Sequence, residues 1–286
     1  MPVTIKDIAK AAGVSHTTVS RALKGNPAIS LETTERIRQL SQHMGYVPSA
    51  VAQSLLSRRT QTIGMVITTI ADPFIAQVVE GAEQKAQEAG YSIFLSTSHN
   101  DPDREIAVVE TFHRRRVDAI IVTSSRVGSL YSSQLDQIQI PVVLINNQEE
   151  GGYLHSVAVD DLQSAQLAVE HLLMLGHRQI GYIGALDRPK SNARRLAGYR
   201  AALDQFSLKG NPAFVLSPVA GNDIERGSTG VLALLATGVT AVFCYNDLTA
   251  IGLLLACHQH KISVPQELSI VGFDDIEPAL YTTPPL

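Results

Sequence analysis

Apolar positions follow two different rhythms along the chain. At the start they recur at helical spacing, with Ile5, Ile8, Ala9 and Ala12 at i, i+3, i+4 and i+7 forming one stripe. Gly13-Val14 follows as a tight turn. Ser15 is placed to cap a second short helix that turns Val19, Ala22 and Leu23 inward and stops at Gly25. Ser30 is placed to cap a third, with Ile37, Leu40, Ser41 and Met44 on one side. Tyr46-Val47-Pro48-Ser49 is expected to break that helix, because the residue before proline avoids the α region. Ala50 to Leu56 then reads as one or two helical turns, too short to persist without a partner.

From Gln61 the rhythm becomes alternating strands and helices. Strands are predicted at 62–68, 92–96, 117–123, 141–146, 156–160, 179–184, 213–217, 240–245 and 268–273. Helical stripes lie between most of them, such as Ile75, Val78, Val79, Ala82, Ala86 and Ala89, ending at Gly90. The near-continuous β-branched runs predict strands buried on both faces of parallel, doubly wound sheets. Two sheets suit the length better than one. The change-over is expected near Val159-Asp160-Asp161, before a long helix at 162–175.

Composition agrees with two globular units, since 286 residues, 45% of them hydrophobic and 17% charged, leave ample material for cores. The net charge of -4 hides an asymmetry. Residues 1–60 hold eight Lys/Arg against three Asp/Glu, and the rest hold fifteen against twenty-four. A basic head on an acidic body suggests a small module for a polyanion. No apolar run suits a signal peptide or approaches the ~18 residues that span a bilayer. Cys244 and Cys257 are too sparse for a disulfide scaffold or a clustered zinc site, so a cytoplasmic protein without membrane contact is expected.

Two short helices joined by a glycine turn and supported by a third follow the helix-turn-helix plan, whose second helix lies in the DNA major groove. His16 and Thr17 are then candidates for base contacts, and Arg21 for a bidentate contact to guanine. Thr18 and Ser20 suit phosphates, and Lys6, Lys24 and Arg36 the electrostatic footprint. A plain three-helix cap with a solvated polar face would share this pattern. Leu55 and Leu56 are odd in a linker, and a leucine wedged between base steps in the minor groove would account for one of them.

Ligands of open α/β sheets bind beyond the carboxyl ends of the strands. Those ends carry Asp72-Pro73-Phe74, Ser96 to Asn100, Ser124-Ser125, Asn146-Asn147, Asn246-Asp247 and Asp274-Asp275. Hydroxyls, amides and carboxylates with one aromatic suit a small polyhydroxylated ligand. Asp72 and Asp247 equally suit helix caps.

With these residues in place the chain closely resembles the LacI/GalR family of bacterial transcription regulators. The likeness is carried by T-I-K-D-I-A-K-A-A-G-V-S-H-T-T-V-S-R-A-L (4–23), Y-V-P-S-A-V-A-Q-S-L (46–55) and I-G-M-V (63–66). It continues in D-P-F (72–74), L-G-H-R-Q-I-G-Y-I-G (175–184), R-L-A-G-Y (195–199), Y-N-D (245–247) and V-G-F-D-D (271–275).

The resemblance implies a small all-α helix-turn-helix head (1–46), a hinge helix and linker (47–60), and a two-lobed α/β core of the periplasmic-binding-protein type. That core would comprise lobe one at about 61–160 and lobe two at about 161–286. It implies a homodimer on double-stranded, near-palindromic operator DNA, acting more often as a repressor, and controlled by a small effector between the lobes. DNA contacts fall to Thr4, Ser15, His16, Thr17, Thr18, Ser20, Arg21 and Lys24, and in the hinge to Ser49, Ala52 and Leu55. Effector contacts fall to Phe74, Ser124, Asn146, Arg195, Asn246 and Asp274, while His177 reads as structural. The hydroxyl-matching residues favour a sugar over a nucleoside or purine. No cofactor, metal or catalytic residue is implied.

Three departures from the family pattern stand out. Asn146-Asn147 replaces an acid followed by Arg, and Asn222 stands where an aromatic often stacks on a sugar. With no Trp in the chain, stacking would fall to Phe74 or a Tyr. Relatives usually continue for several tens of residues past the position of Leu286, supplying the last strand and helix of lobe one, so an incomplete chain with an uncovered sheet edge is expected.

Two other functions compete. A sugar-binding transport protein shares the core, but this chain has a DNA-binding head where an export signal would be. A Rossmann-like enzyme would need G-x-G-x-x-G after its first strand, and Gly181 and Gly184 match only in part.

Overall fold

The computed structural model describes residues 3–47, 59–128, 140–149, 155–218 and 221–286. Two compact units emerge, Met1–Thr60 and Gln61–Leu286. The hinge positions Ser49, Ala52, Leu55 and Leu56 lie outside the described residues.

In the first unit, α1 (Ile5–Ala12), α2 (His16–Leu23) and α3 (Leu31–His43) enclose a core of Ile8, Ala9, Val19, Ala22 and Ile37. Helices α2 and α3 start at the serines placed to cap them, and α1 starts after Thr4. The Thr4 amide and hydroxyl both donate to Asp7 Oδ2, at 2.9 and 2.7 Å. Ser15 Oγ accepts from the Thr18 amide at 3.1 Å, and Ser30 Oγ from that of Thr33 at 3.2 Å. Gly13 supplies the left-handed turn, φ 67°, that lets α2 leave α1 at once. The end of α3 differs from expectation. Gly45, at φ 68°, stops the helix before the Tyr46–Pro48 segment, and the Tyr46 amide returns to Ser41 O at 2.9 Å.

The second unit holds two parallel sheets. The first runs β2 (Ser92–Thr97), β1 (Thr62–Ile67), β3 (Ala119–Thr123), β4 (Val142–Ile145) and β5 (Ser156–Val157). The second runs β7 (Val215–Leu216), β6 (Ile180–Ile183), β8 (Ala241–Cys244) and β9 (Ser269–Val271). The connecting helices are α4 (Pro73–Glu88), α5 (Pro102–Arg114), α6 (Asp161–Met174), α7 (Pro189–Gln205), α8 (Asp223–Ser228), α9 (Val231–Ala236) and α10 (Asp247–Gln259).

Each sheet begins in its interior, steps outward once, then returns past its first strand. A topological switch point therefore lies between β1 and β3 in one sheet and between β6 and β8 in the other. The central strands are sealed, with Met65, Val66, Ile120, Val122, Ile180, Tyr182, Val242 and Phe243 at 0% exposure. Cys244 and Cys257 are free thiols in this second core, where burial pushes both pKa values up.

Three strands depart from the two-sided burial the sequence suggests. β2 has a neighbour on one side alone and leaves Phe94 and Leu95 45% and 43% exposed. The 156–160 run pairs only at Ser156–Val157, because Asp160 turns to cap α6 through the Gln163 amide. The 213–217 run opens as a 3-10 turn, Pro212–Phe214, because Asn211 Oδ1 accepts the Ala213 amide; only Val215–Leu216 pairs with β6.

Helices α6 and α7 meet at Gly198. A Cβ there would stand 2.2 Å from Leu162 O and 2.9 Å from the Gln166 amide nitrogen. Gly198→Ala is expected to lower the unfolding free energy by about 1–3 kcal/mol or more through this backbone clash. Gly81→Ala, in open space on α4, is expected to raise it by roughly 0.5–1 kcal/mol, since a mid-helix glycine carries excess unfolded-state entropy. Denaturant titration of both variants checks the pair, and equal shifts would refute the packing argument.

Candidate functional site

On α2, Val19 and Ala22 face the core, so helical geometry turns Thr17, Ser20, Arg21 and Lys24 to the opposite side. His16, Thr17, Arg21 and Lys24 are exposed, and Ser20 is half-buried. Polar atoms of this unit divide between scaffold and surface. Ser15 and Thr18 spend hydrogen bonds on the α2 cap, with 2.9 Å between their hydroxyls, and Thr4 is tied to Asp7. The Thr4 hydroxyl and amide hold the Asp7 carboxyl below its usual pKa. Arg36, expected among the phosphate-facing cations, instead donates to Ala12 O at 3.3 Å and closes the end of α1.

In the second unit all six residues predicted to touch an effector line one cleft. Phe74 comes from the start of α4, and Ser124 and Asn146 from the ends of β3 and β4. Arg195 comes from α7, and Asn246 and Asp274 follow β8 and β9. The shared location follows from topology, because the carboxyl ends at both switch points open onto the same space. Ser124, Asn146 and Asp274 hold left-handed backbone, φ 51°, 50° and 110°, a conformation kept at sites that over-determine it.

The cleft also takes residues the sequence reading missed or left undecided: Thr68, Asp72, Ile75, Gln148, Asp161, Arg188, Ser191 and Tyr245. Arg188 and Ser191 follow β6, the one switch-point strand whose end had not been considered, and that position was the signal. Tyr245 provides an aromatic ring, but Arg188 and Arg195 stand 5.5 and 4.4 Å from its centroid. Phe74 is thus the ring with an apolar face left for a ligand.

Other candidates are used elsewhere. Ser98 donates to Ile67 O, on the side of β1 away from the switch point. Ser125 donates to the buried Glu105 at 2.5 Å. Asn222 caps α8 through the Glu225 amide at 3.0 Å, and Asp275 is exposed outside the lining. Asp247 accepts the Ile276 amide at 2.9 Å and pins the loop after β9. His177 Nδ1 meets Thr240 Oγ1 at 2.8 Å, between α6 and β8, as a structural histidine does.

Charged groups dominate the cleft. Arg195 donates from Nε to Asp161 Oδ1 at 2.8 Å and from Nη1 to Tyr245 O, while Nη2 lies 3.7 Å from Asp274 Oδ1. Its guanidinium also stacks 3.6 Å from the centre of Phe273. Arg188 Nη1 meets Asp223 Oδ2 at 2.8 Å, and its Nη2 faces Asp72 Oδ2 at 3.6 Å. Asn246 is engaged through both polar atoms: Nδ2 donates to Asp223 at 2.8 Å, and Oδ1 accepts the Thr249 amide and hydroxyl at 2.9 and 2.7 Å.

Burial opposes the charge of Asp223, but Arg188 and Arg226 overcome it and hold its pKa low. The same opposition leaves the Arg188 pKa raised, with the Asp223 carboxylate overcoming burial. Asp274 goes the other way. Burial pushes its pKa up to about 7, Arg195 resists, and Asp247 and Asp72 add to the rise.

Among the described residues, contacts besides Asp72–Arg188 cross between the sheets from the segment after β6, including Arg194 Nη2 at 3.5 Å from Asp160 Oδ1. The Ser191 amide and hydroxyl donate to Gln148 Oε1 at 3.3 and 3.1 Å, and Lys190 Nζ donates to Glu149 O at 2.8 Å. About 40 Å³ of room remains. Among the described residues no His/Cys/Asp/Glu group could hold a metal ion, and no helix is long and apolar enough to cross a membrane.

A helix-turn-helix unit in one chain with a two-lobed α/β core that carries a polar cleft is the architecture of a DNA-binding regulator that senses a small molecule. Residues 4–49 match the family model described as bacterial regulatory proteins, lacI family. Residues 60–283 match the model for periplasmic binding proteins and the sugar binding domain of the LacI family. The chain is 34% identical to the ribose operon repressor of Haemophilus influenzae, over 99% of this chain and 85% of that one. It is 30% identical to the HTH-type transcriptional repressor PurR of Aliivibrio salmonicida, over 99% and 85% respectively. Among solved structures it is similar to the lac repressor dimer bound to operator and an anti-inducer, with TM-score 0.87 and 26% identity, covering 100% of this chain and 86% of that one. The chain belongs to the LacI family of transcriptional regulators. It is a DNA-binding transcriptional regulator and not an enzyme.

The raised pKa of Asp274 yields a signed expectation. Its folded pKa exceeds the ordinary 3.8, so the folded state holds a proton that the unfolded chain releases earlier. Its contribution to stability is present below about pH 4 and is lost as pH rises to about 7. The stability of the protein relative to Asp274→Asn should therefore fall over that window, by on the order of 2–4 kcal/mol. Urea unfolding of both proteins at several pH values measures it; parallel pH profiles would contradict the assignment.

Proposed function

We propose that this regulator is a cytoplasmic repressor that binds a near-palindromic operator as a homodimer and releases or engages it in response to a sugar held between its lobes. The head (1–46) reads the DNA, the hinge and linker (47–60) couple it to the core, and the core (61–286) dimerises and senses the effector. Within the core, lobe one spans about 61–160 and lobe two about 161–286. The observation that carries the sensing half is the meeting of Phe74, Ser124, Asn146, Arg195, Asn246 and Asp274 in one cleft at both switch points.

Relatives support the class of ligand. One structural neighbour is a regulator complexed with cellobiose and another holds bound ribose. Arg195 Nη2 and the Asp274 carboxyl offer a donor and an acceptor to adjacent hydroxyls, and Phe74 offers an apolar wall. Asn246 serves this site through Asp223 rather than through a free amide.

On the DNA side, Thr17 and Arg21 read bases, with His16 beside them. Ser20 and Lys24 hold phosphates, and Thr4, Ser15 and Thr18 contact the backbone from the capped helix ends. Ser49, Ala52 and Leu55 complete the interface from the hinge, with Leu55 as the minor-groove wedge.

Selection of duplexes from a random DNA pool at ~0.1–0.15 M salt should enrich a palindrome. Enrichment of an unrepeated half-site alone would refute dimeric recognition. Arg21→Ala should weaken binding to the selected site by ~1–3 kcal/mol and binding to random DNA by less. Equal losses on both, measured by titration at fixed salt, would remove Arg21 as a base reader.

A further inference from the structure

Both guanidiniums that line the cleft are already held by carboxylates. Arg188 lies between Asp223 at 2.8 Å and Asp72 at 3.6 Å, and Arg195 between Asp161 at 2.8 Å and Asp274 at 3.7 Å. A phosphate accepting from either Nη2 would bring its charge against Asp72 or Asp274, the carboxylates that face those same donors, and would demand that one of these acids be neutralised. A hydroxyl makes no such demand. Asp72 belongs to the β1–α4 turn and Arg188 to the β6–α7 turn, on opposite walls of the cleft. Their 3.6 Å separation is longer than a hydrogen bond. One hydroxyl between them accepts from Arg188 Nη2 and donates to Asp72 Oδ2, and both residues keep their charge balance.

We infer that the cleft selects a neutral, unphosphorylated polyol over the anionic esters of the same sugar, and that Asp72 and Arg188 are the paired specificity residues on its two walls. This rests on the cleft being the effector site. Asp72 also caps α4 by accepting the Phe74 amide at 3.0 Å. Asp72→Asn retains a capping oxygen while removing the charge, and so separates recognition from folding.

The test has two arms on the purified chain. In the first, thermal unfolding is followed with inorganic phosphate at matched ionic strength. The expected result is no stabilisation of the wild type, and stabilisation that disappears in Arg188→Gln would overturn the inference. In the second, ribose, glucose, galactose and cellobiose are compared with their terminal phosphate esters by calorimetry. A neutral sugar should bind at least tenfold tighter than its ester. Asp72→Asn and Arg188→Gln should each weaken that sugar at least tenfold, with Arg188→Lys recovering part of the loss. An ester that binds as tightly as its parent, or variants that bind the sugar as wild type does, would overturn it. Silence of both sugar panels would count against the carbohydrate reading itself, and the phosphate arm would still decide whether anions are excluded.

Discussion

The cleft face of lobe two depends on one buried cation. Arg195 is 7% exposed and touches the start of α6 through Asp161, the end of β8 through Tyr245 O and the loop after β9 through Asp274. Those segments come from distant parts of the chain, and no hydrophobic contact could fix their polar tips relative to one another. A guanidinium can, because its donors leave in fixed directions while its flat face stacks on Phe273 and Tyr245. An ammonium at the same point would supply the charge without the fork. The strained backbone of Asp274 is held where this fork, and the Asp247 clamp on the following amides, can reach it.

Burying so much charge is costly, and the arrangement shows how the cost is offset. Asp223 serves Arg188, Arg226 and the Asn246 amide at once, with three contacts of 2.8 to 2.9 Å. Removing any one partner would leave a desolvated group behind, so the set acts as a unit. This explains why Asn246, a polar residue at a strand end, points its amide at a neighbour and not at open space. Its place in the cleft is that of a brace.

Much of the fold was legible before any coordinates. Helical spacing placed α1 to α3, and β-branched runs placed the central strands, because both patterns record burial directly. The cleft was legible to the extent that it follows from strand ends. Phe74, Ser124 and Asp274 could be named from that rule and Arg188 falls under it at the end of β6, while Tyr245 does not. Tyr245 reads as the last residue of a buried strand, and its role comes from the two guanidiniums that flank it. Arg188 reads as a loop cation, and nothing local shows that it faces Asp72, more than a hundred residues earlier in sequence. Asn222, which stands where relatives often have a stacking aromatic, instead caps α8 with Glu225, and the direction of that turn is not visible in sequence. Charge pairing across a fold leaves no periodicity to read.

The cross-lobe contacts set a condition on any effector. Asp72–Arg188, Ser191–Gln148 and Lys190–Glu149 O join the two walls. A ligand alters the balance between lobe arrangements only by the difference in its affinity for them. It must therefore replace these contacts with better ones in one arrangement than in the other. A polyol does so by satisfying the donor on one wall and the acceptor on the opposite wall through a single oxygen. The lobe angle then becomes a function of where that oxygen sits on the ring. A sugar with the hydroxyl displaced would occupy the same space while leaving Arg188 and Asp72 facing each other, and would bind without switching. Discrimination in such a cleft is thus a matter of coupling as much as affinity, and the residues that fix it are those that touch both lobes through the ligand.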